Sequence, residues 1–457
     1  MKVLVVDMTH GGAILASEFM KIPDFEVFAY DIYSTMGTNA LDELKGKGLK
    51  FIEGLDDLKL IKNQAHESDV MIVSPVHCKL DFPINMTHHE AVGFLYKDII
   101  NIPVIEVTGV KGKTSVVWML KEIFKSNNPL VLSSLGVEVV EDGEWKVLKQ
   151  NISITPASII EAWKLAEGHE IGICIFETSL GGTGLADVGI LTNVAEDYFI
   201  ARGSRTASDA KLQIFKSKVV ACEIDSFNSK YSEFREKTNT FDNGANELRS
   251  KNHANLTASN IRWGFNKTLF NVDVVDVKTL GNDIIKDTME VSTFAPSSIH
   301  VSNVLAVICA SLTFEVPVEK ILSGLNNFKG VNGRTSIKEY NGIRVIEEIN
   351  PGINVTAVAK ALSMMEDMEN VAVIFGGKYG VTCEEIDEES VSEVLDEIKE
   401  DIDLILVDEL GASLKDIIKR KFIYIDDLNA AIKCAEENTS LNILVIYRSN
   451  FSDIKKR

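Results

Sequence analysis

The amino-acid sequence predicts an α/β protein built from three domains. Segments with strand character alternate with helix-length segments along nearly all of the chain, which is typical of parallel sheets covered by helices. With 457 residues the chain is too long for a single hydrophobic core. We therefore expect an N-terminal α/β domain over residues 1–98, a larger central domain over 99–332 and a C-terminal α/β domain over 333–457.

The N-terminal domain is predicted from short apolar strands with helical segments between and after them. The strands are Lys2–Asp7, Glu26–Tyr30 and Val70–Ser74. Helical periodicity is present around Ile14–Lys21 and again around His89–Tyr96. This alternation predicts a small parallel sheet, and the paired histidines at the start of the second helix are expected at the protein surface.

The central domain opens with an apolar strand, a glycine-containing loop and an apolar helix over residues 102–120. In such a loop the glycines let backbone N–H groups approach an anion, and the helix N-terminus adds its positive dipole end. Lys113 is expected to reach the β- and γ-phosphates of ATP, and the Thr114 hydroxyl to bind Mg²⁺. The full P-loop pattern has Gly where this chain has Val107, so the loop is a shortened variant. The residues predicted to bind ATP here are Thr108, Gly109, Val110, Lys111, Gly112, Lys113, Thr114 and Ser115.

Polar residues follow the next two apolar strands of the central domain. Glu177 stands directly after the strand Ile171–Phe176, and a Thr-Asn pair lies within the strand Gly189–Val194. Open α/β sheets bind ligands at the carboxyl edge of their strands. Glu177 is therefore predicted to bind Mg²⁺ together with Thr114, with the other polar groups converging on the same centre.

The C-terminal domain is predicted from five strands separated by helix-length segments, which again indicates a sheet covered by helices. The predicted strands are Arg344–Glu347, Asn370–Phe375, Asp403–Val407, Phe422–Ile425 and Asn442–Tyr447.

Composition excludes several classes of protein. The formal net charge of −20 disfavours nonspecific nucleic-acid binding, because phosphate backbones need clustered Lys and Arg. The six cysteines are scattered without a Cys-x-x-Cys pair, which argues against a structural zinc site and a disulfide framework. The sequence begins without a positively charged leader and has no apolar run long enough to span a membrane. We expect a cytoplasmic protein with neither nucleic-acid nor membrane partners.

The motifs of the central domain resemble those of the Mur ligases, a family that includes the peptidoglycan amino-acid ligases and the folylpolyglutamate synthases. The shortened loop, Glu177 within Glu-Thr-Ser, and the Thr192-Asn193 pair with Asp197 after it occur in the family's order. The resemblance implies a three-domain Mur-ligase-like architecture, with a central P-loop ATPase domain between two smaller Rossmann-like α/β domains. It also implies ATP and Mg²⁺ as cofactors.

Further motifs extend the resemblance. Lys211 lies in a segment similar to the one that carries the family's carbamylated lysine, so it is implied as a catalytic residue with Lys113 and Glu177. Asn303 and Arg334 resemble the family's nucleotide-contacting Asn and the Gly-Arg pair before its C-terminal domain.

The sequence departs from the common family pattern at two places. Tyr198 stands where the family usually has a metal-binding His, and the segment Glu347–Asn354 replaces a usual Asp-Tyr-Ala-His-x-Pro signature. This segment and the Thr-His-Gly-Gly start resemble the methanogen branch of the family. The resemblance implies ATP-dependent closure of the last carbocyclic ring on a nickel tetrapyrrole, whose carboxylate is activated as an acyl phosphate. The residues then expected to bind this small-molecule substrate are Thr9, His10, Gly11, Gly12 and Asn350.

Three alternatives remain open from the sequence. An archaeal pseudomurein or other Mur-type peptide ligase would share the core motifs. A nucleotide-dependent P-loop switch protein would use the same loop only to change domain orientation. A kinase of a small carboxylic acid would release the acyl phosphate itself.

Overall fold

The structure is a computed structural model that forms two compact units. It describes residues 1–54, 57, 70–194, 197–244, 254–264, 266–332, 334–340, 342–349, 353–365, 368, 370–379, 386–438 and 441–449. The first unit comprises residues 1–257, 272–288 and 302–324, and the second comprises 258–271, 289–301 and 325–457. In the part of the chain that is described, no helix is long and apolar enough to cross a membrane.

A five-stranded parallel sheet occupies the N-terminal part of the first unit. Its strands are β1 (Lys2–Val6), β2 (Glu26–Tyr30), β3 (Lys50–Phe51), β4 (Val70–Ser74) and β5 (Met86–Thr87). They follow the spatial order β3-β2-β1-β4-β5, and each pairs in parallel with its neighbours. The helices are α1 (Ala13–Phe19), α2 (Thr38–Gly46) and α3 (His88–Tyr96).

Eleven strands form the second sheet, and all of them contribute residues to the first unit. They are β6 (Val104–Thr108), β7 (Pro129–Ser133), β8 (Gly136–Glu141), β9 (Glu144–Gln150), β10 (Ile173–Glu177), β11 (Val188–Leu191), β14 (Val219–Glu223), β15 (Thr238–Asp242), β16 (Leu256–Arg262), β17 (Thr268–Lys278) and β18 (Ile284–Thr293). Their order is β18-β17-β16-β15-β14-β11-β6-β10-β7-β8-β9.

The middle of this sheet is parallel, buried and mostly apolar. Strands β6, β10, β7 and β11 are buried along their full length, which is expected for parallel strands covered on both sides. A separate antiparallel pair is formed by β12 (Phe199–Ile200) and β13 (Arg205–Thr206). The helices that accompany this region are α4 (Lys113–Ile123), α5 (Ser158–Leu165), α6 (Ala207–Lys211), α7 (Ile224–Ser226), α8 (Ser298–Thr313) and α9 (Val318–Asn327).

The second unit contains a six-stranded sheet. Its strands are β19 (Thr335–Tyr340), β20 (Ile343–Ile349), β21 (Val371–Gly377), β22 (Asp403–Val407), β23 (Ile423–Ile425) and β24 (Asn442–Arg448). The order is β19-β20-β24-β21-β22-β23, with only the β19–β20 pair antiparallel among these described strands. The helices are α10 (Val355–Ser363), α11 (Glu388–Asp396), α12 (Asp408–Ser413) and α13 (Leu428–Glu437).

The N-terminal sheet packs closely against the segment that carries the P-loop, within the first unit. One continuous apolar core includes Phe19 and Val92 from the N-terminal segment and Ile160 and Phe176 from the later one. At Gly93 a Cβ atom would lie 2.4 Å from the carbonyl oxygen of Thr183, so the two segments touch through their backbones.

The three sheets follow the three predicted segments of the chain. All of the strands that the sequence predicts are present, with ends that differ by up to three residues. The domain boundaries near residues 98 and 332 stay a prediction, and the cytoplasmic location does so too. The prediction that the paired histidines lie at the protein surface is wrong. His88 and His89 are buried, where His88 Nε2 lies 2.9 Å from the Val6 carbonyl oxygen.

A buried carboxyl lies beneath the P-loop. Glu106, in the middle of β6, accepts a hydrogen bond of 2.7 Å from the Thr183 backbone N–H and pairs with the Thr183 hydroxyl. Burial raises the pKa of Glu106 to about 7, and the two Thr183 contacts offset only part of this shift. The folded protein therefore holds a proton on Glu106 over a pH range in which the unfolded chain has lost it.

We predict that Glu106→Gln removes a pH dependence of stability. The raised pKa means that the contribution of Glu106 is complete below pH 4.5 and is lost as the pH rises through about 7. Because glutamine does not ionise, the variant should gain up to about 3 kcal/mol relative to wild type across this range. Denaturant unfolding at a series of pH values measures the difference. Parallel curves of unfolding free energy against pH for the two proteins would contradict the prediction. Glu144→Gln, at an exposed position, is the control and should leave the slope of this curve unchanged.

Candidate active site

The predicted phosphate loop connects β6 to α4 and requires glycine at two positions. Gly109 has φ +146° and Gly112 has φ +88°, both in the left-handed region that side chains rarely adopt. A Cβ atom at Gly109 would lie 1.9 Å from Thr192 Oγ1, and one at Gly112 would lie 2.1 Å from Asn303 Oδ1. Both glycines thus let the loop backbone pack directly against other polar groups of the first unit.

Hydrogen bonds hold this loop to the end of β11. Val110 N–H donates to the Asn193 carbonyl oxygen at 2.9 Å. The Lys111 carbonyl oxygen accepts from Thr192 Oγ1 at 2.6 Å and from Asn193 Nδ2 at 3.2 Å. The Thr-Asn pair therefore fixes the loop backbone, which is a different role from the predicted convergence on a metal.

The helix that follows presents its N-terminus toward the loop. Gly112 is the N-cap of α4 and, among the described residues, no side chain caps this helix end. Its first N–H groups and its dipole thus favour an anion. Lys113 lies in the first turn, and its Nζ donates to the carbonyl oxygens of Gly109 at 3.1 Å and Val110 at 3.2 Å. Ser115 is half-buried in the same turn.

Oxygen atoms from two strand ends meet the Thr114 hydroxyl at the start of this helix. Glu177 Oε1 accepts from Thr114 Oγ1 at 3.0 Å, and Glu177 Oε2 accepts from the Ser134 backbone N–H at 3.0 Å. The hydroxyls of Thr114 and Ser134 are 3.2 Å apart. Carboxylate and hydroxyl oxygens are ligands that Mg²⁺ prefers, so this set fits the predicted metal.

The meeting of these groups follows from the order of the strands. Strand β10 lies between β6 and β7, and all three are parallel, so their carboxyl ends share one edge of the sheet. Ser134 directly follows β7 and is a residue that sequence reasoning missed. Only the spatial order of strands brings it beside Glu177, and that order cannot be read from the spacing of the residues.

Lys211 is buried at the end of α6, with 1% of its surface exposed. Burial, and to a smaller extent the positive charge of Lys113, lower the pKa of its amine to about 8, while Asp197 acts in the opposite direction. Its Nζ lies 5.5 Å from the centre of the Tyr198 ring. Asp197 is itself engaged by Ser208, through the backbone N–H at 2.9 Å and the hydroxyl at 2.6 Å.

The predicted substrate loop bends sharply after β1. Asp7 has φ +67°, and a Cβ at Gly12 would lie 2.1 Å from the Asp7 carbonyl oxygen. The Thr9 hydroxyl pairs with that of Thr35. At Gly11 (φ +97°) a Cβ would lie 2.6 Å from the Cβ of Ala157, so the loop touches the segment that precedes α5.

Two histidines surround the buried Asp7 carboxylate. His10 Nδ1 lies 2.7 Å and His77 Nε2 lies 3.3 Å from Asp7 Oδ2. Burial acts to raise the pKa of Asp7, but the nearby His77 and His10 outweigh it and the pKa is lowered. Asp7 and His77 are contributors to this loop that sequence reasoning did not select.

One predicted site residue that the structure describes, Arg334, belongs to the second unit. Arg334 donates its backbone N–H to the Val331 carbonyl oxygen at 2.9 Å. Burial raises the pKa of Glu348, and the charge of Arg334 opposes part of this rise. Asn350 lies outside the described residues. The predicted roles of Arg334 with ATP and of Asn350 with the substrate stay predictions.

The chain is similar to ligases over most of its length. Residues 337–450 match the family model of the C-terminal domain of coenzyme F430 synthetase CfbE. The chain is 28% identical to the coenzyme F(430) synthetase of Methanosarcina acetivorans over 86% of this chain and 87% of that protein. It is also 28% identical to that of Methanocaldococcus jannaschii over 93% and 95% of the two chains.

A solved ligase structure shares the fold. A UDP-N-acetylmuramoyl-L-alanyl-D-glutamate–2,6-diaminopimelate ligase superposes with a TM-score of 0.61 at 15% identity, covering 93% of this chain and 86% of that one. The predicted Mur-ligase-like α/β architecture is therefore confirmed. The resemblance to the Mur ligases and to their methanogen branch is confirmed as well, as is the prediction of a ligase. The roles of single residues stay predictions.

We predict that Gly112→Ala destabilises the protein by more than the strain of placing alanine at a positive φ. Gly168 is a matched control, because it has the same φ of +88° but nothing within 4 Å of an added Cβ. Both substitutions should lose about 1–2 kcal/mol from left-handed strain. Gly112→Ala should lose at least ~1 kcal/mol more, because Asn303 must move, and should weaken nucleotide binding. Chemical denaturation and nucleotide titration of both variants test this; equal losses and equal nucleotide affinities would contradict it.

Proposed function

We propose that this protein is an ATP-dependent ligase that closes the final carbocyclic ring of coenzyme F(430). In this reaction a carboxylate of a nickel tetrapyrrole seco-acid precursor is activated as an acyl phosphate, and ADP and phosphate are released. The observation that carries the proposal is the similarity to two coenzyme F(430) synthetases over nearly the whole chain. The phosphate loop and its oxygen cluster supply the site that such chemistry needs.

The first step transfers the γ-phosphoryl group of ATP to the substrate carboxylate. A free carboxylate is a poor electrophile because its leaving group would be oxide, whereas the mixed anhydride can lose phosphate. Lys113 and the N–H groups at the start of α4 are placed to neutralise charge on the phosphoryl oxygens. Thr114 and Glu177 would hold Mg²⁺, which supplies further charge neutralisation when bound.

The second step forms a carbon–carbon bond within one molecule. A carbon of the macrocycle attacks the acyl carbon and gives up its proton to the departing phosphate or to water, while the bond between the acyl carbon and the phosphate oxygen breaks. Because both reacting groups belong to the same substrate, correct positioning can supply about 7–11 kcal/mol of barrier reduction. Positioning of the macrocycle is therefore the main task of the protein in this step, and we assign it to the loop Thr9–Gly12.

We propose that Lys211 carries a carbamate in the active enzyme. A cationic lysine beside Lys113 and Mg²⁺ would repel both, whereas a carbamate presents an anionic oxygen. The neutral amine is the form that adds CO₂, giving the carbamate and one proton. Burial holds the Lys211 pKa near 8, so a larger fraction of this amine is neutral at physiological pH than for an exposed lysine.

The function is tested by following ADP release with a panel of carboxylates. The nickel tetrapyrrole seco-acid should give ADP, phosphate and the ring-closed product in equal amounts, while nucleotide-linked peptides with amino acids should give none. Turnover with the peptides alone would move the protein to the pseudomurein ligases. ADP release without any carboxylate would indicate a nucleotide switch. Trapping of an acyl phosphate by hydroxylamine without a ring-closed product would indicate a carboxylate kinase.

We predict that Lys113→Ala abolishes turnover and leaves the fold intact. The change removes a positive charge placed for the β- and γ-phosphates and little buried packing, since the side chain is only half-buried. Loss of such transition-state stabilisation typically costs at least ~10²-fold in rate. The coupled ADP assay measures the rate and circular dichroism checks the fold. ADP production near the wild-type rate would remove the P-loop assignment.

We predict that Lys211→Ala loses activity that acetate or formate partly restores. These small carboxylates can occupy the place of the carbamate oxygen once the side chain is truncated. The measurement is ADP release as a function of added carboxylate, with Lys113→Ala as the control that no carboxylate should rescue. Full activity of Lys211→Ala without an additive would contradict the carbamate.

A further inference from the structure

The cluster around Asp7 holds one imidazole in a defined orientation. Asp7 is fully buried, and its Oδ1 accepts the backbone N–H groups of Thr9 at 3.1 Å and His10 at 3.3 Å. Its other oxygen, Oδ2, lies 2.7 Å from His10 Nδ1. The carboxylate thus binds both the main chain and the side chain of His10, which fixes the ring relative to β1.

This arrangement determines which nitrogen of His10 can bind a ligand. An ionised carboxylate only accepts hydrogen bonds, so the 2.7 Å contact assigns the ring proton to Nδ1. The lone pair of the neutral imidazole is then on Nε2. Within the described part of the chain Nε2 has no hydrogen-bond partner, and the His10 side chain is 49% exposed.

Two aromatic rings lie beside His10. The His77 ring centre lies 4.9 Å from that of His10 at an interplanar angle of 79°, and the Tyr33 ring lies 6.0 Å away at 85°. His77 and Tyr33 are nearly parallel to each other, with an angle of 12°. Both rings are therefore nearly perpendicular to the His10 ring. Their aromatic faces are suited to contact with a flat conjugated ligand.

We infer that His10 Nε2 is an axial ligand to the nickel of the tetrapyrrole substrate, with Asp7 as the positioning residue behind it. This inference rests on the proposed function. A macrocycle fills the four equatorial positions of its metal, so the protein can reach only the axial ones, and one imidazole is enough. Imidazole is a suitable ligand for nickel, and a carboxylate on the other ring nitrogen orients the ring and raises its basicity.

Axial binding at this position would fix the macrocycle relative to the ATP site. The His10 loop touches Ala157 through Gly11, and His89 Nε2 lies 2.7 Å from the carbonyl oxygen of Ser179, two residues after Glu177. All of these contacts lie within the first unit. Nickel held by His10 would thus be tied to the same rigid segments that position the Mg²⁺-binding carboxylate.

A free divalent cation is the competing occupant of this cluster. Asp7, His10 and His77 offer ligand atoms that all lie within 4.8 Å of one another. A free ion would use His10 Nδ1 and His77 Nε2 together, so it would need both histidines equally. Axial binding of macrocyclic nickel needs His10 alone, and this difference separates the two by experiment.

The test is the coordination state of nickel in the seco-acid bound to the full-length protein without ATP. Absorption and X-ray absorption spectroscopy should report an added axial nitrogen in wild type, lost in His10→Gln with a fall in macrocycle affinity of at least ~10-fold. Imidazole should restore the nitrogen signature in His10→Gly. The matched substitution His169→Gln, at a histidine beside Glu141, should leave the signature unchanged.

Other outcomes overturn the inference without ambiguity. An unchanged nickel spectrum in wild type with normal ADP release would reject axial binding and keep the proposed function. An axial nitrogen that survives in His10→Gln would do the same. The free ions Ni²⁺ and Zn²⁺ are tested by equilibrium dialysis. One tight site that is lost equally in His10→Gln and His77→Gln would assign the cluster to a free ion. If the protein neither binds nor turns over the seco-acid, the proposed function itself is rejected.

Discussion

The candidate site depends on a backbone that has no room for side chains at two points of one loop. Gly109 lies against Thr192 and Gly112 lies against Asn303, each at a distance that a Cβ atom would violate. Contact between main chain and polar side chains leaves the loop few alternative conformations, so the N–H groups at the start of α4 keep their direction. Preorganised dipoles of this kind stabilise charge without reorganisation during the reaction.

The first unit contains both the phosphate loop and the predicted substrate loop Thr9–Gly12. Most of the residues predicted to bind the substrate and those predicted to bind ATP lie in different predicted domains, and separate domains would have to close on each other to exclude water. The structure instead shows the N-terminal sheet sharing an apolar core with the segment that carries the P-loop. Gly11 packs on Ala157 and Gly93 on Thr183, so these two parts already form one body. Any closure that excludes water must then involve other parts of the chain.

Much of the fold could be predicted because its strands are short, apolar and separated by helices of ordinary length. Strand β10, for example, is buried along its full length and is apolar up to Phe176. The errors have a common cause, since they concern neighbours that are distant in sequence. The burial of His88 follows from packing on Val6, and the role of Ser134 follows from β7 lying beside β10. Residue types and spacing identified Thr114 and Glu177, but only the strand order supplies their third partner.

Two lysines, Lys113 and Lys211, lie close together in the candidate site, and their positive charges oppose each other. The protein is strongly acidic, yet Lys211 is buried near Lys113, and the opposing influence of Asp197 is weaker than burial. A buried cation without a close partner is unfavourable and is relieved by losing its proton. The neutral amine that results is a nucleophile toward CO₂, and the carbamate reverses the sign of the charge. The carbamate that we propose would thus convert a repulsion between Lys211 and Lys113 into an attraction, at the place where a metal-bound phosphate would need an anionic neighbour.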